Sequence, residues 1–333
     1  MNVLYFTSPA SDYLADSVLH GLRSLMGPTV VDYPRADVLY ADGAALKTKA
    51  HGRGFTLYGL LQDEGVDRYD VLDKVRAGFF DLIVISSIHR QFGWLVQLLP
   101  WLTHRNTIVL DGEDGPEPFP YAGSYWRRAG HRRLPRAHTR FLYFKRELTP
   151  ATLSYRWFKM VPAIVGRRMR LPRNVRPIAF AIPAEKIVAS PPAKSKDFPR
   201  HIVDPEVAAA VGASTAHVFD DERAYYRDLQ CSRWGITTKR SGWDCIRHYE
   251  IAANGAVPCF RSLDEKPDTC APHGLGATNS VLYHSWPELQ SRIARIDADR
   301  YAELQQGSLA WARANTTVER ARQMVDEWRR STR

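Results

Sequence analysis

Acidic residues are nearly missing from one stretch of this 333-residue chain. Between Trp126 and Arg176, fifteen Lys and Arg stand against Glu147 alone. The stretch carries +14, which leaves −4 for the remainder of a chain whose net charge is +10. Such a patch attracts polyanions: nucleotide phosphates, anionic lipid, acidic glycans or nucleic acid. Cysteine is scarce, with four residues at 231, 245, 259 and 270. That is too few for a disulfide framework at this length and reads as a reducing, cytosolic compartment. No apolar run approaches the roughly 20 residues that span a bilayer. Val3–Thr7 is far too short for a signal-peptide core. No repeat of fixed period and no recognisable nucleic-acid module is present.

What is present is an ordinary globular composition, 44% hydrophobic and 25% charged, at a length that suggests two domains. Short apolar strands alternate with amphipathic helices. Met1–Thr7, Thr29–Tyr33, Phe80–Ser86 and Thr107–Leu110 read as strands, Asp12–Met26 and Val66–Phe80 as helices. The run Phe141–Tyr143 marks the last strand of this half. After a Pro-rich stretch around Ser190–Lys194, strands are expected at Ala216–Phe219, Trp234–Thr238, Ala256–Phe260 and Ser280–Tyr283. Helices are expected at Glu222–Cys231, Asp244–Asn254, Trp286–Ile296, Arg300–Asn315 and Thr317–Arg330. This rhythm predicts parallel sheets buried on both faces. The organisation expected is an N-terminal domain over 1–150, a basic, Pro-rich interdomain segment over 151–200, a C-terminal domain over 201–316 and a last helix over 317–333.

The strongest chemical signal runs from Thr238 to Phe260, TKRSGWDCIRHYEIAANGAVPCF. Gly242 frees the backbone before a helix that Asp244 is placed to cap. The start of that helix is a ready anion site, with Lys239 and Arg240 beside it. Arg247 and Glu250, three apart, share one face. Asn254-Gly255 supplies a left-handed C-terminal cap.

Glu250-Ile251-Ala252-Ala253-Asn254-Gly255-Ala256-Val257-Pro258 resembles the nucleotide-sugar element of glycosyltransferases with the GT-B fold, nearest the spore-maturation and exostosin-like types. The resemblance implies two Rossmann-like domains facing a cleft, with the last helix crossing back to the N-terminal domain. It implies a metal-independent enzyme, with no cofactor beyond a UDP- or GDP-linked sugar as donor. The acceptor would be a hydroxyl on a carbohydrate or a lipid-linked carrier. Glu250 would hold the donor ribose, and Lys239, Arg240, Gly242, Asp244 and Arg247 would surround the diphosphate. The retaining members of the group carry a second Glu eight residues earlier; position 242 is Gly here.

A second constellation, Asp111-Gly112-Glu113-Asp114-Gly115, follows a strand directly. In a doubly wound sheet, ligands bind at the carboxyl ends of strands. Asp111, Glu113 and Asp114 are therefore candidates for the base of a sugar hydroxyl or for binding the acceptor. Such a trio could also hold a divalent cation. Asp12, Asp16 and His20, spaced by four, share a helix face, and His20 joins the candidate catalytic set. Lys145 and Arg146 would balance a leaving diphosphate. Cys259, Cys270 and His273 fall short of a zinc set.

The expected location is cytoplasmic. The basic amphipathic run Thr152–Leu171 reads either as an interdomain helix with its apolar side in the core or as a helix on an anionic membrane surface, which would make the protein peripheral on the inner membrane. The alternative to a plain glycosyltransferase is a nucleic-acid-binding protein, or a glycosyltransferase that modifies DNA, using the basic 126–176 segment.

Overall fold

The computed structural model describes residues 1–121, 134–150, 152 and 174–332. Apart from Thr152, the amphipathic run Thr152–Leu171 lies outside the described residues, as do Trp126 and Trp157. The chain forms two compact units. Unit 1 is Met1–Ala179 with Pro267–Ala271 and Arg320–Arg333; unit 2 is Phe180–Lys266 with Pro272–Glu319.

In unit 1, strand β1 (Val3–Phe6) leads into helix α1 (Tyr13–Met26) and strand β2 (Val30–Tyr33). Asp12 caps α1 by accepting the Leu14 and Ala15 N–H groups, and Gly27 at φ 60 ends it. Then come α2 (Val71–Arg76), β3 (Leu82–Ile85), α3 (Ile88–Leu98), β4 (Thr107–Asp111), α4 (Ala137–Arg140), β5 (Leu142–Lys145) and β6 (Val175–Pro177). All six strands are parallel in the order β2-β1-β3-β4-β5-β6. The winding direction reverses between β1 and β3, which is where such sheets place a ligand. Leu4, Phe6, Ile83, Ile85, Val109 and Tyr143 form the core on one side of the sheet. With both faces covered, whole strands are apolar rather than alternating.

Several elements of this unit depart from expectation, the short helix α4 among them. The helix over Val66–Phe80 shrinks to Val71–Arg76, because Asp70 just before it takes a left-handed conformation (φ 48). Helix α3 was not expected. The strand at Phe141–Tyr143 is not the last of its sheet, because Val175–Pro177 pairs beside it.

Unit 2 holds α5 (Pro205–Val211), α6 (Glu222–Cys231), β7 (Trp234–Thr238), α7 (Ile246–Ala253), β8 (Val257–Arg261), β9 (Val281–Tyr283), α8 (Trp286–Ile293) and α9 (Ala298–Ala314). Its sheet is parallel in the order β7-β8-β9, with Trp234, Ile236, Val257, Cys259 and Tyr283 in the core. Ala216–Phe219 is not a strand: Ser214 makes one isolated bridge to His201, and His217 and Phe219 enter an aromatic cluster instead. Helix α10 (Thr317–Thr332) starts in unit 2 and from Arg320 onward belongs to unit 1. Ala321, Met324 and Val325 are buried there, Val318 and Trp328 half-buried, and the Trp328 indole N–H donates to Arg105 O at 2.8 Å.

Candidate active site

The carboxyl ends of β1, β3, β4 and β5 bring a polar cluster together in unit 1. Asp111, the last residue of β4, is fully buried. Its carboxylate takes Lys145 Nζ at 2.9 Å, His89 Nε2 at 3.3 Å and the Tyr143 hydroxyl. Burial alone would raise its pKa, but the Lys145 and His89 charges and the His89 and Tyr143 hydrogen bonds outweigh that and hold it well below the usual carboxylate range. A carboxylate so stabilised is a poor proton acceptor. Asp111 therefore organises the strand end rather than serving as the expected base. Glu113 and Asp114 are exposed, and Asp114 pairs with Arg146. Arg146 itself is buried and also bonds Gly112 O at 3.0 Å and Glu147 at 3.1 Å. The thiol of Cys270 donates to the other Glu147 oxygen at 3.1 Å.

The loop after β1 lies against this cluster. A methyl group placed on Gly112 would sit 3.3 Å from Asp12 Oδ1. Asp12 also accepts from the Ser87 hydroxyl at 3.2 Å. One turn on, Asp16 Oδ2 accepts from Asp12 N at 2.9 Å and from the Tyr58 hydroxyl at 3.0 Å. Burial, and then the Asp12 charge, push Asp16 up to about 7. Here is a carboxyl poised near neutrality at the reversal point of the sheet. His20 is a correction in the other direction. It lies two turns below Asp12, about 12 Å along α1, and is buried, so it is out of reach of a reactant at the strand ends.

In unit 2 the motif helix α7 packs on β7 so closely that a methyl group on Gly235 would sit 2.2 Å from Ile251. Gly255 ends the helix region at φ 69, as its place after Asn254 predicts. The N-cap is Cys245, not Asp244. The Asp244 carboxylate is occupied by Phe180 N at 2.7 Å and the Tyr249 hydroxyl at 3.0 Å, so it braces the loop from inside. Lys239 and Arg240 are exposed just past β7, Lys239 with its ammonium 5.0 Å above the Trp243 ring, and Gly242 is buried.

Arg247 and Glu250 do share one face of α7. Glu250 is buried and accepts from the Tyr225 hydroxyl at 2.8 Å. Arg247 makes no ion pair among the described residues, and its Nε is buried without a hydrogen-bond partner. Its Nη2 lies 3.4 Å from His201 Nε2. Burial and the Arg247 charge lower His201 to about 4, so the imidazole is neutral. His201, His217, Phe219 and Tyr225 form one aromatic wall, with His201 and His217 rings 5.2 Å apart. Burial opposes the charge on Arg247, but Cys245, Tyr225 and Glu250 around it outweigh that and favour the charged guanidinium.

No family profile and no curated protein matches the sequence. Solved structures do match its fold over nearly the whole chain. Anabaena Alr3699/HepE in complex with UDP and glucose superposes with a TM-score of 0.55 at 12% identity, covering 98% of this chain and 99% of that one. HepE in complex with UDP-glucose gives 0.53 at 11%, covering 99% and 100%. A glycosyltransferase from Rickettsia africae ESF-5 gives 0.54 at 8%, covering 99% and 98%. The chain has the fold of these structures.

Sequence reasoning had named Arg247 and Glu250 but missed Asp16 as a candidate base, together with His201 and Tyr225. Asp16 was visible as part of the Asp12–Asp16–His20 face. Nothing in the sequence ties His201 to a residue 46 positions later.

Proposed function

We propose that the protein is a glycosyltransferase that moves a sugar from a UDP-linked donor to a hydroxyl of a carbohydrate or lipid-linked acceptor. The observation that carries this is the Arg247 guanidinium, in no close ion pair among the described residues and with its Nε unpartnered, one turn before the buried Glu250. A nucleotide-sugar offers both partners: diphosphate oxygens for Arg247 and ribose hydroxyls for Glu250. Full-length likeness to a protein that binds UDP and UDP-glucose supports the choice of donor.

In this reading the acceptor oxygen bonds to the anomeric carbon as the bond to the diphosphate oxygen breaks. Arg247, with Lys239 and Arg240 from the adjacent loop, stabilises the charge that develops on the leaving diphosphate, and no metal is required for that task. The acceptor's proton goes to Asp16, whose pKa near neutrality suits a general base. In this reading the exposed Glu113, and Asp114 beside Arg146, are the groups that meet acceptor hydroxyls. Titration calorimetry with UDP and UDP-glucose tests the donor assignment. Arg247→Ala and Glu250→Ala should each weaken binding at least tenfold while the far-UV spectrum is unchanged. Wild-type affinity in both variants would overturn the reading.

A further inference from the structure

We infer that His201 is a positioning residue that holds the Arg247 guanidinium in place without neutralising it, reserving its charge for the donor diphosphate. The inference rests on the nucleotide-sugar reading above. His201 Nδ1 lies 3.2 Å from Ser214 O, and a carbonyl can only accept, so Nδ1 carries the proton. Nε2 is then a lone pair, and it is this atom that meets Arg247 Nη2 at 3.4 Å. The ring is fixed further by the His201–Ser214 backbone bridge and by His217 at 5.2 Å. It is thus a rigid, neutral acceptor aimed at a cation.

Unit 2 contains its own contrast. Arg261 is held by Asp204 at 3.0 Å and by Glu206 at 2.9 Å, an arginine neutralised by two acids. The acid nearest His201 along the chain, Asp204, is taken up by Arg261, by the Tyr283 hydroxyl at 2.8 Å and by the start of α5. Arg247 makes no such close ion pair: Glu250 acts on it only through its charge, Tyr225 through a hydrogen bond, and the group facing its Nη2 is the His201 imidazole. A carboxylate there would orient the guanidinium equally well, but it would cancel the field that an incoming anion feels. Orientation with the charge left intact is what a neutral partner supplies.

The test compares two near-isosteric variants, His201→Gln and His201→Glu, with His201→Ala. Binding of UDP and of inorganic pyrophosphate is measured by titration calorimetry, and thermal unfolding is recorded for each protein. His201→Ala should weaken both ligands about tenfold, the value of one hydrogen bond to a charged group. His201→Gln should recover most of that loss. His201→Glu should bind more weakly than His201→Ala while unfolding at or above the wild-type temperature, because its new ion pair stabilises the protein and occupies Arg247. A purely structural His201 predicts that affinity and unfolding temperature move together across the three. Wild-type binding by His201→Glu would overturn the inference while leaving the nucleotide-sugar reading intact. A wild-type protein that binds neither ligand would overturn both.

Discussion

Asp16 and Asp111 are both carboxylates near strand ends of unit 1, and their surroundings drive them in opposite directions. Asp16 is pushed up to about 7 by burial and by the Asp12 charge beside it. The folded protein holds that proton more tightly than the unfolded chain, whose Asp titrates near 4. Stability from this group is therefore full at low pH and is lost as pH rises to about 7. Asp16→Asn should show a stability advantage over wild type that grows between pH 4 and pH 7, measured by urea unfolding across that range. A flat difference would show that Asp16 is not perturbed. The same variant should lose 10²–10⁴-fold in transfer rate, the usual yield of a general base, where wild-type kcat climbs through pH 7. Asp111 behaves as the partner of a buried lysine. Asp111→Asn leaves the fully buried Lys145 ammonium without its counter-charge, a loss of about 3–5 kcal/mol by comparison with other broken buried pairs. Urea unfolding at pH 7 checks this, and a loss under 1 kcal/mol would make the pair dispensable.

The motif helix is the element that sequence reading served best, and the reasons are local. Its apolar face, the Asn-Gly cap and the Arg-Glu spacing all act within one or two turns, so short-range rules capture them. Asp244 was misassigned because a better use for its carboxylate, the Phe180 N–H, comes from 64 residues away. Strand β6 is three residues long, too short for any period to register. The burial that raises Asp16 comes from the tertiary fold, which also brings in Tyr58 from 42 positions on, whose hydrogen bond acts in the opposite direction. Packing at Gly235 gives the helix its own test. With Ile251 2.2 Å from where a Cβ would stand, Gly235→Ala must push α7 off β7. An overpacking cost of about 1–3 kcal/mol follows, together with weaker UDP binding as Arg247 and Glu250 shift. Unfolding and calorimetry on one sample measure both. Unchanged values would mean that the helix is free to move.

At the scale of the molecule the charge is segregated. The segment from 126 to 176 carries +14 and the remainder −4, and among the described residues no helix is long and apolar enough to cross a membrane. Attraction to an anionic surface at about 1 kcal/mol per basic residue near it would suffice for peripheral binding. Co-sedimentation with vesicles containing anionic lipid is expected at low salt, and none with zwitterionic vesicles. Equal binding to both, or to neither, would remove the membrane from the account.

The path of the chain has a consequence for how the protein is made. Residues 320–332, which carry Ala321, Met324 and Val325 into unit 1, are translated after the whole of unit 2. Pro267–Ala271, whose Cys270 meets Glu147, also belongs to unit 1. On the ribosome unit 2 can therefore close while unit 1 still lacks part of its core. The first unit to begin is the last to be completed, and a ribosome stalled within the final helix would release a chain with one finished unit and one open one.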